Sequence, residues 1–318
     1  MIALTSVFIF FILYYYFKNY SEIKSNTTLL PPNLLPIENI FLLKKSLDEK
    51  MILIQIIDMY LKGLINYENN TFIKIKNSSH KIEQFILNAL FYENNKLNLD
   101  NMIHTFTYST KFTKLVNNCE NCYSQIEYYI NNWAFENNYF TENIYKLKKH
   151  FLIATLFIEM ILILCSSYLN YGLTFSILLS FILPIIGMGF YVLYQQNHLI
   201  IIFIMTLLLM FVAYQLGINL FNFSFLITFL PLLFIYFVYT DLGKYTSKGE
   251  KTVSDFKGFL NTLKNTNKEY LPYLIYFNYH YQKNLSKTQI NAISKILSFK
   301  IFIKIYKYSP YNHYPVEY

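Results

Sequence analysis

The sequence predicts a mainly α, polytopic membrane protein with about five transmembrane helices and a cytoplasmic, winged-helix-like α+β insertion. Three observations carry that expectation. Residues 151–239 are almost continuously apolar, residues 2–17 contain no charge, and the lysines that flank these runs all fall on one side of the topology they define. Within the long stretch, Phe151 to Tyr168, Leu173 to Tyr194, Leu199 to Leu216 and Leu220 to Tyr239 are each close to the roughly 20 apolar residues that cross a ~30 Å hydrocarbon core. Only turns fit between them. Helices are required, because a lipid-exposed segment must satisfy its own backbone.

Taken in order, Ile2 to Phe17 reads as an uncleaved anchor within residues 1–20, since Lys18 and Lys24 follow it and no basic residue precedes it. Lys146, Lys148 and Lys149 come before the second span, and Lys244, Lys248 and Lys251 come after the fifth. An excess of lysine marks the cytoplasmic side. The expected location is therefore the cell membrane, multi-pass, with the N-terminus outside and the C-terminus cytoplasmic.

Residues 25–150 form the expected cytoplasmic domain, entered past Pro31, Pro32 and Pro36. A short helical stretch around Ile40 to Leu47 precedes a stronger one, in which Ile52, Leu53, Ile56, Ile57, Tyr60 and Leu61 share a face. Gly63 stops it. Leu64 to Tyr67 and Phe72 to Ile75 flank Asn69-Asn70 as a hairpin, so the order is helix, helix, hairpin, as in a winged-helix unit. After Ser78-Ser79, which can cap, Ile82, Phe85, Ile86, Ala89 and Leu90 return to helical spacing. Amphipathic segments follow at 101–117 and 120–133, and Phe135 to Tyr145 leads into the four-helix transmembrane region of 151–240.

Charge is uneven. From 19 to 150 there are 14 Lys and 13 acidic residues, whereas 241–318, the basic membrane-proximal C-terminal region, carries most of the net +8. The near-neutral insertion speaks against nucleic acid, whose binders concentrate cations against phosphate. In the C-terminal region Val253, Phe256, Phe259, Leu260 and Leu263 line one stripe with Lys251, Lys257 and Lys264 off it. Such a helix fits a bilayer with anionic headgroups, or it packs on the cytoplasmic domain. Gln289 to Leu297 reads as helical, and Phe299 to Tyr308 alternates apolar residues with lysine.

Tyr245 to Leu263, reading YTSKGEKTVSDFKGFLNTL, and Glu269 to Phe277, reading EYLPYLIYF, place Thr246 with Gly249, Gly258 with Phe259, and Pro272 with Tyr273 in a fixed order. Upstream, PPNLLPIENIFLL is followed by MILIQIIDMYLKGLINYE. Together these resemble the YciQ-like predicted membrane proteins, a domain of unknown function numbered two-two-zero-seven, over about residues 30–280. Members usually begin with a signal peptide and an extracellular β-rich domain, which is not found in this sequence, and many end in a Gly-rich tail where this one ends in Lys, Tyr and Phe. The family has no established activity, so the resemblance implies architecture only.

Catalytic patterns are missing from the sequence. The six histidines, at 80, 104, 150, 198, 280 and 313, form no His-Glu-x-x-His, no Gly-x-Ser-x-Gly occurs, and the 8 glycines make no phosphate-cradling loop. No cofactor is expected. Cys119 and Cys122 make one Cys-x-x-Cys pair without the second pair that a structural zinc site needs; they read as reduced thiols on a helix surface. The third cysteine, Cys165, falls in an expected span. With no Arg in the chain, bidentate phosphate or carboxylate recognition is not available. Glu159, in the second span, is costly in lipid unless neutral or paired; Gln215, Tyr194 and Tyr214 are candidate partners. The expected function is a non-catalytic scaffold or adaptor whose cytoplasmic domain docks a protein partner. Alternatives are a small transporter or ion-coupled protein using Glu159, and a membrane-tethered regulator.

Overall fold

A computed structural model describes residues 11–18, 23–26, 28, 30–98, 110–151, 153, 154, 157, 161, 242–263, 270–278 and 285–298. They fall into two units. One comprises 1–22 with 140–245, the other 23–139 with 246–318.

In the first unit residues 11–18 are helical, as are 144–151. Ile12, Leu147, Phe151 and Leu242 form its core, with Phe11, Tyr15 and Tyr16 packed against it. Tyr15 stacks on Phe151 at 5.2 Å between ring centres. Phe140 and Tyr245 form an antiparallel bridge and stack their rings at 4.8 Å.

The second unit is built around α2. The short α1, Pro36–Lys44, opens with Pro36, whose missing N–H costs nothing at a helix start. Asp48 then caps α2, Glu49–Leu61, accepting the Met51 N–H at 2.8 Å. Burial on α2 runs around the whole helix, taking in Met51, Ile52, Ile54, Ile56, Ile57 and Met59. A helix buried on every side belongs inside a fold, and α1, the strand Ile65–Glu68 and the helices Lys81–Leu90, Leu271–Tyr276 and Lys287–Leu297 all pack on this one. Gly63, at φ +69°, ends it in the left-handed conformation, with Leu64 N–H donating to Met59 C=O at 2.9 Å.

The hairpin follows as β1, Ile65–Glu68, and β2, Thr71–Lys74. Asn69 and Asn70 take positive φ at 49° and 59°, which is the geometry of a two-residue hairpin turn. Register pairs Tyr67 with Phe72. Next come α3, Lys81–Leu90, and β3, Lys96–Asn98, which adds to β2 antiparallel to give the order β1-β2-β3. The third strand has no sequence pattern of its own, because only Leu97 of its three residues is buried.

α4, Thr110–Glu136, is one 27-residue helix where the sequence reads two segments. Leu115, Cys119, Cys122, Ile126, Ile130 and Ala134 keep one buried stripe at three- and four-residue spacing across the expected break, and α4 packs on α3. The chain returns to this unit with α5, Ser247–Thr262, α6, Leu271–Tyr276, and α7, Lys287–Leu297.

The expected fold class is corrected here to a mostly helical protein with a small three-stranded sheet. Among the described residues no helix is long and apolar enough to cross a membrane. α4 has the length but carries Glu120, Glu127 and Glu136 with several Asn. The eight helical residues of 11–18 cover only about 12 Å at the usual rise. The expected spans lie outside the described residues apart from 11–17 and five positions between 151 and 161. The multi-pass location and orientation rested on those spans and lose their support with them.

Two further readings change. The second unit joins residues 246–297 to residues 23–139, while 140–150 of the expected 25–150 domain belong to the first unit. The apolar stripe of α5 is spent on that packing: Val253, Phe256 and Phe259 are all at most 2% exposed, and α5 packs on α1. A helix cannot offer lipid the face it has buried in protein.

Candidate functional site: a cleft over a buried polar cluster

Gln55 is fully buried near the middle of α2, and its amide joins three helices. Its Nε2 donates to Asp58 Oδ2 at 3.2 Å and to Glu83 Oε1 of α3 at 3.0 Å, while its Oε1 accepts the Ile37 N–H of α1 at 3.3 Å. The second oxygen of Glu83 accepts the Ser78 hydroxyl, which in turn accepts the His80 N–H at 3.0 Å. Lys62 pairs with Asp58 at 2.6 Å. Glu38 of α1, 5% exposed, accepts the Leu35 N–H at 2.9 Å.

Three carboxyl groups thus lie in the interior. Burial pushes the Glu38 carboxyl above its ordinary value; the Leu35 N–H, His80 and Lys62 counteract, and Glu83 adds to the rise. Burial likewise raises Asp58, against the opposing Lys62 contact. A carboxyl raised in the folded state stabilises fully below its unfolded pKa, and that contribution is lost as pH rises through the folded value. The thermal midpoint of this unit is therefore expected to fall as pH goes from about 5 to about 7.5. Glu38→Gln, which keeps an acceptor for Leu35 and removes the charge, should raise the midpoint at the upper pH and flatten the slope. Melts followed by circular dichroism test this; an unchanged slope in the variant sinks it.

Above the cluster opens a cleft of about 420 Å³, lined by Lys62, Leu64, Lys76, Asn77, Ser78, Ser79, His80 and Glu83. The start of α3 forms one wall. His80 is its N-cap residue and makes no side-chain cap, so first-turn amides face outward without a side-chain acceptor. The sequence expects Ser78-Ser79 to cap this helix; instead Ser78 turns its hydroxyl inward to Glu83. Lys76 and His80 are exposed on the rim, and Lys76 makes no ion pair among the described residues.

The residues singled out from sequence fall elsewhere. Thr246 caps α5, accepting the Gly249 N–H at 3.2 Å and donating to Asn138 C=O. Gly258 lies where Asn26 and Thr28 approach α5. Phe259 meets the rings of Tyr270 and Tyr273 at 5.0 and 5.4 Å. Pro272 opens α6, and the Tyr273 hydroxyl accepts the Asn39 amide at 2.9 Å. Phe259 and Tyr273 come together, while Thr246 and Gly249 lie at the far end of α5. These residues act as caps, contacts and close approaches that hold the fold, and none of them lines the cleft.

Glu159 and its candidate partners Gln215, Tyr194 and Tyr214 lie outside the described residues, as does Cys165. Cys119 and Cys122 are in the core between α4 and α3, not on a helix surface. Burial pushes the Cys122 thiol up to about 12 and raises Cys119 as well, so both stay protonated and unreactive. Among the described residues no group of three or more His, Cys, Asp or Glu is placed to hold a metal ion.

The cluster itself escaped the sequence reading. Its signal was the spacing of Gln55, Asp58 and Lys62 at i, i+3 and i+7 in an otherwise apolar helix, which puts three polar side chains on one face. No family model, no curated protein and no solved structure matches the chain, so the family resemblance rests on its motifs alone.

Proposed function

We propose that this chain is a non-catalytic docking module, an adaptor that holds an acidic segment of a partner protein in the α3 cleft. The observation that carries the reading is that Lys76, which makes no ion pair among the described residues, and His80 meet the uncapped start of α3 on one open cleft. Lysine ammoniums act there as point charges, and the positive end of the helix dipole favours a carboxylate. Glu83 is held in internal hydrogen bonds through both its oxygens. The same bonds support a binding role over a catalytic one, because the Ser78 hydroxyl gives its proton to Glu83 and its lone pair to His80 N–H.

The test is fluorescence anisotropy with a labelled hexaglutamate peptide at low and moderate salt. Exposed charge contacts contribute under about 1 kcal/mol each. Lys76→Glu combined with His80→Ser is therefore expected to weaken binding about tenfold, and added salt should weaken it further. Binding that is salt-sensitive but indifferent to the double substitution moves the acidic segment to another surface and ends this assignment.

A further inference from the structure

Residues 23–26 and Thr28 lie against α5, held by a set of contacts that read main chain. Asn26 N–H donates to Ser254 C=O at 3.1 Å, and Ser254 Oγ donates to Lys24 C=O at 2.6 Å. Lys257 Nζ donates to Ile23 C=O at 2.8 Å, and Thr262 Oγ1 donates to Thr28 C=O at 3.2 Å. Only two contacts use side chains of the segment: Asn26 Nδ2 to Asp255 Oδ1 at 2.8 Å, and Thr28 Oγ1 to Asp255 C=O at 2.5 Å.

Gly258 makes the approach possible. A Cβ there would lie 1.9 Å from Asn26 O and 2.8 Å from its carbonyl carbon. Without a side chain at that position, the carbonyl of Ser254 one turn earlier stays open to a second donor. The result is a shallow groove on α5 with polar walls and a glycine floor. Its occupant brings little apolar area with it, for Lys24, Ser25 and Asn26 are exposed. Two of the bonds, Asn26 to Asp255 and Thr262 to Thr28, are exposed to solvent, and elements with few apolar contacts open at the low end of a protein's stability range.

We propose that residues 23–28 form a releasable strap over this groove, and that the lifted strap leaves a site on α5 that takes an extended Asn-x-Thr segment in trans. Recognition is chemical and local: main-chain carbonyls answer Ser254, Lys257 and Thr262, one main-chain N–H answers Ser254 C=O, and an Asn amide with a Thr hydroxyl two residues on answers Asp255. This site is separate from the α3 cleft and stands or falls without it.

The experiment uses the full chain and three variants. Asn26→Asp sets a carboxylate against Asp255 and lifts the strap while leaving the groove intact. Gly258→Ala fills the groove. Asp255→Ala removes the side-chain anchor and serves as the second lever should the alanine at 258 prevent folding. Native-state hydrogen exchange read by mass spectrometry is expected to show strap amides exchanging at least about 100-fold faster than those of α2. Asn26→Asp and Asp255→Ala should each speed the strap about tenfold further, with the thermal midpoint unchanged. A labelled peptide of residues 23–28, Ile-Lys-Ser-Asn-Thr-Thr, should bind the Asn26→Asp chain at least about tenfold more tightly than the wild-type chain, and should not bind the Gly258→Ala chain. A strap protected as strongly as α2 overturns the proposal. So does a peptide that ignores the Asn26→Asp chain, or one that binds the Gly258→Ala chain equally well.

Discussion

Replacing Gln55 by glutamate is expected to lower the thermal midpoint of the second unit sharply at neutral pH and much less in acid. The two side chains have the same shape, so packing around α2 changes little. The chemistry changes at two contacts. In place of an amide nitrogen that donates to Asp58 at 3.2 Å and Glu83 at 3.0 Å, a carboxylate oxygen would face two others. An uncompensated charge in the interior costs on the order of 3–5 kcal/mol. A domain of this size has only about 5–15 kcal/mol to lose. Protonation of the new carboxyl restores one donor and removes its charge, which is why acid should rescue it. The measurement is far-UV circular dichroism of the variant at about pH 7.5 and about pH 5. A midpoint no more dependent on pH than that of the wild type would show that solvent reaches Gln55 and that the interior cluster is not what ties α1, α2 and α3 together.

Phe259→Ala is the second large effect, and it acts on packing alone. The ring is 1% exposed and meets Phe256 at 6.1 Å as well as Tyr270 and Tyr273. Removing a buried phenylalanine side chain generally costs about 3–5 kcal/mol, from lost transfer energy and the cavity left behind. α6 has six residues, all buried, and a helix that short has no stability of its own. Losing the ring should therefore loosen α6 first. Denaturant unfolding measures the total, and hydrogen exchange over 270–278 shows whether α6 goes ahead of α2. A midpoint within measurement error of the wild type would mean that the aromatic cluster repacks around the gap.

Both sites show what a linear reading reaches. Local devices were legible because their causes are local. Gly63 stops α2 since only a residue without Cβ takes φ +69° freely. The Asn69-Asn70 turn was visible from its own composition, and the α3 positions from their spacing. The α7 helix carries its start signal in Ser286 and Gln289, which bond reciprocally at 3.2 and 3.1 Å. The buried face of α5 was equally plain, but its destination was open, because an apolar stripe beside lysines looks the same whether it meets lipid or protein. Burial of Phe256 and Phe259 in the second unit decided between the two.

The sequence by itself therefore determined the helical spacing, the hairpin turn and the near-neutral charge of residues 19–150, all properties of neighbours along the chain. Tertiary structure alone decided that residues 246–297 complete the unit begun at residue 23, that β3 joins the sheet, and that Gln55 sits among three carboxyl groups. It also decided that Gly258 serves as a floor for residues 23–28, more than two hundred positions away. The physical reason is that a side chain's meaning changes with what faces it. A glutamine on an apolar helix is a small local penalty, and only the arrival of Ile37, Asp58 and Glu83 around it turns that penalty into a joint.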